Sequence, residues 1–350
     1  MELKQEIHNL IKVSFYAYIS LGYCFFIAKI VPKGVPRLLT ILPVVIIFLT
    51  IPLFLTSVHS IGAVSFFISW LANFKLILFA FEKGPLSSPS IPLIRFFAMA
   101  CFPIEVTQSS KGFSKPRNPN KKLLSYVTKG SLLALFLSIY HNRRDAMNPM
   151  LGWIFFGFSI YLMTELLVTL SSLIVGVFLR VELDPQFDEP YLATSLQDFW
   201  GRRWNVMVNR ILHPMIYDPV LKLSNRVVGR LWAPIPAILT TFAVSGLMHE
   251  LIFFYFSRAW PTWEVMLFFC LHGVCLVMEV VIKKVIKGKL SLPRQLTAPL
   301  IVSFVLATSY WLFLPELLRC KMLDRAVEEY QVISELALDM VRNLLIFGNL

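Results

Sequence analysis

The sequence predicts an all-α polytopic membrane protein with about eight transmembrane helices and several interfacial amphipathic helices. Of its 350 residues, 57% are hydrophobic and 15% are charged, and the mean hydropathy of +0.67 is too high for a soluble domain of this length. Apolar runs of membrane-spanning length recur along the chain. Lysine and arginine are concentrated in alternate loops between those runs.

Eight apolar runs are long enough for a helix that crosses a bilayer, which needs about 20 residues. The first run is longer than the apolar region of a signal peptide and has no small-residue cleavage site, so we expect it to remain as a helix. The predicted spans are residues 7–30, 38–54, 61–81, 123–140, 151–179, 232–256, 263–282 and 296–318.

The positive charges predict the orientation of the chain. The odd-numbered loops carry 21 lysines and arginines and the even-numbered loops carry 3. By the positive-inside rule the odd loops face the cytosol and the N-terminus lies on the opposite side. Because these charges are spread over separate loops beside the membrane, we expect contacts with membrane lipids and no nucleic-acid partner.

No polar linker and no internal repeat divide the chain, so residues 1–350 are predicted to form a single domain. Loop three contains a short apolar segment, residues 91–102, which we expect to lie in the membrane interface before a basic tail at residues 111–122. Residues 324–346 alternate acidic and apolar side chains at helical spacing and predict a surface amphipathic helix.

Loop five contains a predicted amphipathic helix that starts after Ser195. The Asp184-Pro185 and Glu189-Pro190 pairs break any earlier helix, and Ser195 can cap the new one with Asp198 at its third position. Apolar and polar residues then fall on opposite arcs, typical either of a solvated surface or of a polar chamber wall. The apolar arc holds Leu196, Trp200, Trp204, Met207 and Ile211, and the polar stripe holds Asp198, Arg202, Asn205 and Asn209.

Two histidines, His249 and His272, fall inside predicted spans. If Pro234 and Pro236 delay the sixth helix to about Ile238, His249 lies about 16 Å along it, near the middle of a hydrocarbon core about 30 Å thick. Such a residue is either a hydrogen-bonded structural histidine or an intramembrane base.

Acidic residues also fall within the predicted spans. Glu165 has no partner on its own helix and is expected to face the protein interior. Glu279 lies one helical turn before Lys283, which predicts a structural ion pair near the cytosolic edge.

Several catalytic motifs are matched only in part. His213 and Asp218 have the His-x4-Asp spacing of glycerolipid acyltransferases, but the phosphate-contacting motif that should follow them is missing. The His249-Glu250 pair lacks the second histidine of a zinc protease, so no metal site is expected.

Two segments carry a more specific signal. Tyr191-Leu-Ala-Thr-Ser-Leu-Gln-Asp-Phe-Trp-Gly-Arg-Arg-Trp-Asn205 and Ser245-Gly-Leu-Met-His-Glu250 resemble the plant wax synthase family, distant relatives of the membrane-bound O-acyltransferases. Trp70-Leu-Ala-Asn-Phe-Lys75 and Leu271-His-Gly-Val-Cys275 also resemble that family, and the similarity extends over essentially the whole chain.

The resemblance implies a membrane-bound O-acyltransferase-like fold and an enzyme of the endoplasmic reticulum. This enzyme would transfer a fatty acyl group from its co-substrate, acyl-CoA, to a lipid alcohol. The resemblance also implies that His249 is the general base and that Asn205 is its companion on the cytosolic side. No cofactor or metal is expected. The substrate-binding residues that we assign are Trp204, Arg202, Arg203, Asp198 and Glu165.

Alternatives remain open within and outside this class. The acceptor is expected to be a long-chain fatty alcohol, with a sterol or diacylglycerol as the alternative. Outside the class, buried His, Glu and Lys side chains could form the relay of a lipid or solute transporter, and a structural membrane protein is the third interpretation. Asn205 and His249 are 44 residues apart, so only the tertiary structure decides whether they meet.

Overall fold

A computed structural model describes residues 3–88, 91–103, 119–143, 148–179, 186–286 and 293–347. These residues form α-helices with short 3₁₀ and π turns, and no strand occurs among them, which confirms the predicted fold class. Seven helices are long and apolar enough to cross a membrane: Leu3–Ile30, Val35–Phe54, Val58–Ala80, Ile154–Phe178, Gly229–Ser257, Glu264–Val285 and Arg294–Arg319.

The first three spans are formed by α1 to α4. The third one begins at Ser57, whose side chain accepts a hydrogen bond from Ser60 N at 3.3 Å, and it contains a π-helical stretch, Ser65–Ala72. The helices are α1, Leu3–Ile30; α2, Val35–Thr50, extended by a 3₁₀ turn over Ile51–Phe54; α3, Val58–Val64; and α4, Asn73–Ala80.

The apolar segment of loop three forms α5, Leu93–Cys101, which is packed into the body of the protein on one face. Its Phe96 is buried against Phe25 and Phe79, with ring centroids 5.4 and 5.2 Å away. The fully buried Lys75 donates to the Met99 carbonyl at 2.5 Å and to the Phe102 carbonyl at 2.7 Å, which satisfies the last turn of α5.

The next pair of helices is α6, Pro119–Arg143, and α7, Pro149–Leu179. The predicted fourth span lies in α6, but its apolar stretch, Leu124–Tyr140, is shorter than the other seven. Residues 111–118 of the predicted basic tail, 111–122, lie outside the described residues, as does the Asp184-Pro185 pair, and the rest of the tail belongs to α6.

The remaining chain contains short helices and then three long spans. The short helices are α8, Leu196–Asp198; α9, Val206–Leu212; α10, Asp218–Val227; and α11, Gly229–Trp232. The long spans and the end of the chain are α12, Pro234–Ser257; α13, Glu264–Ile286; α14, Arg294–Thr308; α15, Leu314–Arg319; and α16, Met322–Phe347.

The start of α12 corrects one expectation. The helix begins at Pro234, directly after α11, and not at Ile238. A proline in the first turn needs no hydrogen-bond acceptor for its nitrogen, so it does not delay a helix there. His249 therefore lies 15 residues after Pro234 and 8 before Ser257, in the C-terminal half of the helix.

The C-terminal helix α16 has the predicted amphipathic character and is fastened to the start of α3. The Glu329 carboxylate accepts hydrogen bonds from Ser57 Oγ at 2.8 Å and Val58 N at 2.6 Å, and it contacts His59 Nδ1 at 2.6 Å. Burial alone would raise the pKa of Glu329, but these donors outweigh it and hold the pKa below its ordinary value.

Candidate active site

His249 lies on α12 with its two ring nitrogens in different environments. Its Nδ1 donates to the Ser245 carbonyl, one turn earlier, at 2.7 Å. Because a carbonyl only accepts, the proton of the neutral imidazole is on Nδ1 and the lone pair is on Nε2. Nε2 has no hydrogen-bond partner among the described residues, and the side chain is half-buried. This arrangement leaves a free base in an apolar setting.

Aromatic rings hold the imidazole in place. The centroid of Phe269 on α13 lies 4.4 Å from that of His249, with the planes tilted by 34°, and that of Phe313 lies 6.0 Å away. These contacts fix the ring so that Nε2 keeps one direction.

The close approach of α12 and α13 beside His249 depends on Gly246. A Cβ at this position would lie 2.6 Å from Met266 Sδ and 3.2 Å from Met266 Cα. The buried Glu250 then accepts a hydrogen bond from Met266 N at 2.8 Å, so a carboxylate of α12 caps the first turn of α13. Gly246 and Glu250 together set the position of Phe269 against the histidine.

His272, the other histidine inside a span, has both ring nitrogens occupied. The indole Nε1 of Trp200 donates to His272 Nδ1 at 3.1 Å, and His272 Nε2 donates to Thr308 Oγ1 at 2.9 Å. Thr308 Oγ1 in turn donates a hydrogen bond to the Phe304 carbonyl at 2.8 Å. His272 is fully buried, and these bonds make it a structural residue that joins the π turn Phe199–Arg203 to α13 and α14.

Residues 195–212 do not form the single helix that the sequence predicts. Ser195 caps α8 as expected, with Asp198 N donating to its Oγ at 3.1 Å, but a π turn over Phe199–Arg203 follows and the helix ends. The backbone turns at Asn205, which has φ 41° and ψ 63°. Asparagine is one of the few residues that adopt this left-handed conformation readily, and an amphipathic pattern does not reveal it.

Gln186 holds the start of the next helix. Its carbonyl accepts from Val206 N at 2.9 Å and its side-chain Oε1 accepts from Met207 N at 3.1 Å. Two amides in the first turn of α9 are thereby satisfied. The sequence reasoning missed Gln186, because a capping residue 20 positions upstream leaves no local pattern.

The Asp198, Arg202 and Arg203 side chains have different roles. Arg203 Nε donates to Asp198 Oδ2 at 2.7 Å, and Arg203 Nη1 donates to the Asp188 carbonyl at 2.9 Å. Burial alone would raise the pKa of Asp198, but the Arg203 guanidinium outweighs it and keeps the pKa below its ordinary value. Arg202 is exposed and has no hydrogen bond or ion pair to the described residues.

Trp204 lies in a cluster of aromatic rings. It stacks on Phe199 at 5.4 Å with planes 18° apart, and it also contacts Phe187 and Tyr161 at 5.4 and 5.8 Å. Trp200 lies 6.3 Å from Trp204 and 6.0 Å from Phe269. Aromatic contacts therefore lead from Trp204 through Trp200 and Phe269 to His249.

Asn205 and His249 are not hydrogen-bonded to each other. The Oδ1 of Asn205 is buried without a hydrogen-bond partner. The two residues are nonetheless connected through a shared apolar cluster, because Met207 and Ile211 of α9 pack in the same cluster as Val244 and Met248 of α12. The structure thus brings neighbours of the predicted pair into one cluster, and one polar atom of each residue has no hydrogen-bond partner among the described residues.

Comparison with known proteins shows which family this chain belongs to. A model described as the membrane bound O-acyl transferase family matches residues 183–271, which include both Asn205 and His249. The chain is 43% identical over 342 residues to a long-chain-alcohol O-fatty-acyltransferase of Simmondsia chinensis, with 95% of this chain and 96% of the relative aligned. The chain belongs to the membrane-bound O-acyltransferase family.

Two relatives from Arabidopsis thaliana are similarly close to this membrane-bound O-acyltransferase. Acyl-CoA–sterol O-acyltransferase 1 is 42% identical over 330 residues, 93% of this chain and 95% of its own. Probable long-chain-alcohol O-fatty-acyltransferase 2 is 42% identical over 337 residues, 95% of this chain and 97% of its own. The resemblance to plant wax synthases is confirmed, and the enzyme interpretation is favoured over a transporter or a structural protein.

Glu165 faces the interior of the acyltransferase, as expected, but it has a protein partner. It forms an ion pair with Lys129 of α6, and 5% of its side chain is exposed. Its other oxygen, Oε2, is buried without a hydrogen bond. The pair joins α6 to α7, which gives Glu165 a structural role whether or not it also contacts substrate.

Glu279 has an additional role that was not predicted. The expected ion pair with Lys283 is present at 2.6 Å, and the second carboxylate oxygen accepts from Leu196 N at 2.7 Å. A carboxylate of α13 therefore binds the first turn of α8 beside its Ser195 cap. This contact ties the motif of loop five to the spans of the acyltransferase.

Proposed function

We propose that this acyltransferase esterifies a lipid alcohol with the fatty acyl group of acyl-CoA, with His249 as the general base. The observation that carries the proposal is the unpartnered Nε2 of an oriented imidazole inside a family-matched region. In this proposal residues 195–205 face the cytosol of the endoplasmic reticulum membrane, where acyl-CoA is present. The alcohol reaches His249 from the bilayer.

The proposed reaction is a single transfer without a covalent enzyme intermediate. His249 Nε2 removes the hydroxyl proton of the alcohol as its oxygen attacks the thioester carbonyl carbon. The carbon–sulfur bond then breaks, and the CoA thiolate takes the proton from the imidazolium. A general base of this kind contributes about 10² to 10⁴-fold in rate, and the step requires no metal or cofactor.

Asn205 is proposed to act on the acyl carbonyl. Its backbone makes a left-handed turn, and an amide N–H directed at the developing oxyanion would stabilise the transition state by about 3 to 4 kcal/mol. Trp204 would form one wall of the chamber through its stacked contact with Phe199.

The charged residues are proposed to have separate roles in the binding of acyl-CoA. Arg202 is exposed and unpaired among the described residues, so it is the better candidate for a phosphate of CoA. The ion pair between Arg203 and Asp198 would stabilise the conformation of loop five. Glu165 would support the chamber from α7 through Lys129.

The acceptor is proposed to be a long-chain fatty alcohol. One close relative is named for long-chain alcohols and another for sterols, so a sterol is the second candidate. Membranes from yeast that lacks neutral-lipid synthases, supplied with labelled acyl-CoA and a fatty alcohol, a sterol or diacylglycerol, test this directly. Formation of wax ester above the other two products supports the proposal, whereas sterol ester as the main product would reassign the acceptor.

The same assay tests whether His249 or His213 is the general base. His213 Nδ1 lies 3.2 Å from Asp218 Oδ1, which is the partial His-x4-Asp match, and both side chains are solvent-exposed. We expect His249→Ala to lose at least 99% of the activity at unchanged expression, in line with the contribution of a general base. His213→Ala should retain it. Loss of activity in His213→Ala with full activity in His249→Ala would assign the general base to His213.

A further inference from the structure

A groove opens between α12 and α13 near the predicted cytosolic edge. It has a volume of about 230 Å³ and is lined by aliphatic and aromatic side chains with a single cation, Lys284. The lining includes Trp232, Ile235, Ile238, Val277 and Val281. Both helices are long and apolar enough to cross a membrane, and the groove lies between the N-terminal end of α12 and the C-terminal end of α13.

Beyond the groove the two helices approach each other closely at two glycines. At Gly273 a Cβ would lie 3.0 Å from the Cβ of Phe242, and Gly246 permits a similarly close contact with Met266. Branched residues that include Ile238 and Val277 line the groove beside these contacts. The groove, called the wedge below, therefore lies to one side of the close contacts at Gly273 and Gly246.

Positive charge is concentrated at the open end of the wedge. Lys284 Nζ makes a hydrogen bond of 3.4 Å to the Leu231 carbonyl and forms no ion pair with the described residues. Arg230, next to Leu231, is exposed and forms no ion pair with the described residues. Leu231 and Trp232 are 62% and 52% exposed, so apolar surface continues from the wedge to the membrane interface.

We propose that this groove binds one anionic phospholipid, with an acyl chain in the wedge and the headgroup phosphate at Lys284 and Arg230. Apolar walls require a hydrocarbon chain, and the two unpaired cations at the rim select a negative headgroup. The site is distinct from the chamber at His249, because the contact between Phe242 and Gly273 separates them and Ile238 lies 11 residues, about 16 Å, from His249 along α12.

The test uses the full-length purified protein and native mass spectrometry after addition of phosphatidylserine or phosphatidylcholine. We expect the parent to retain one phosphatidylserine more tightly than phosphatidylcholine. Lys284→Gln should weaken this binding about fivefold, the effect of one cation near an anionic headgroup. Val281→Trp or, if that variant misfolds, Ile238→Phe should abolish it by filling the wedge.

Two controls keep the interpretation specific. Lys222→Gln removes an exposed cation of α10 that does not line the groove, and it should leave the selectivity unchanged. His249→Ala should bind phosphatidylserine normally even though acyl transfer is lost, so failure of either proposal is visible separately. Equal retention of both lipids, retention after the wedge is filled, or displacement of phosphatidylserine by acyl-CoA at similar concentration would overturn the lipid site.

Discussion

The imidazole of His249 and the ring of Phe269 lie 4.4 Å apart, on two helices that approach each other closely beside Gly246. The catalytic proposal therefore rests on helix packing as much as on the histidine itself. A base with a fixed lone pair is produced by three features: a backbone acceptor for Nδ1, a ring against its face, and a close helix crossing.

Gly246→Ala should reduce both stability and activity. The new Cβ would meet Met266 Sδ at 2.6 Å and its Cα at 3.2 Å, so α12 and α13 must separate, at a cost of about 1 to 3 kcal/mol. Thermal unfolding in detergent and acyl transfer by the remaining folded enzyme measure the two effects. Gly130→Ala is the matched control, since a Cβ there meets nothing within 4 Å and should leave both unchanged or slightly improved.

Thr308→Val should destabilise the enzyme without removing its chemistry. The substitution leaves the buried Nε2 proton of His272 without an acceptor, which costs about 1 to 3 kcal/mol. We expect a lower unfolding temperature but a rate per folded molecule within a few-fold of the parent. A complete loss of turnover at unchanged folding would assign His272 to the chemistry.

Arg202→Ala and Arg203→Ala should behave differently although they are neighbours. Arg202 is exposed, so its loss should raise the KM for acyl-CoA and leave the unfolding temperature unchanged. Loss of Arg203 removes a charge-assisted hydrogen bond to Asp198, worth about 1.5 to 3 kcal/mol, and should lower stability first. Steady-state kinetics over a range of acyl-CoA concentrations, paired with thermal unfolding, separate the two; identical profiles would contradict the assignment.

Lys129→Met should be more damaging than removal of the whole ion pair. It leaves Glu165, with 5% of its side chain exposed, as an unpaired buried carboxylate, at a cost of about 3 to 5 kcal/mol. The double variant Lys129→Met with Glu165→Leu should recover most of that loss. If the double variant is as unstable as the single one, the pair is not coupled in the way that the structure indicates.

Glu329 should make stability depend on pH in the acid range. Its folded-state pKa is below the ordinary value of 4.5, so its contribution is fully present above that value and is lost as the pH falls through the folded pKa. Glu329→Gln should lower the unfolding temperature at pH 7, and the difference from the parent should shrink below about pH 4.5. A difference that does not change with pH would show that packing, not charge, holds α16 to α3.

Much of the site was predictable residue by residue. Ser195 has the side chain and position of a helix cap, and the Glu279–Lys283 spacing predicts an ion pair; both are present. The break at Asn205 was not predictable, because the helical pattern continues through it and is overridden by the contacts of Gln186 with α9. The hydrogen bond from Leu196 N to Glu279 was not predictable either, because the two residues are 83 positions apart and no local pattern connects them.

The membrane-spanning class, the approximate spans and the two segments with the family resemblance could all be predicted without coordinates, because hydropathy and local motifs are properties of short stretches of chain. Packing between distant helices distinguishes the two histidines inside spans, since of these only His249 has a ring nitrogen without a hydrogen-bond partner among the described residues. His249 and His272 look alike as ionisable residues in apolar helices, but Trp200 and Thr308 occupy both nitrogens of His272. Hydrogen-bond partners from distant helices are set by packing, and no local pattern records them.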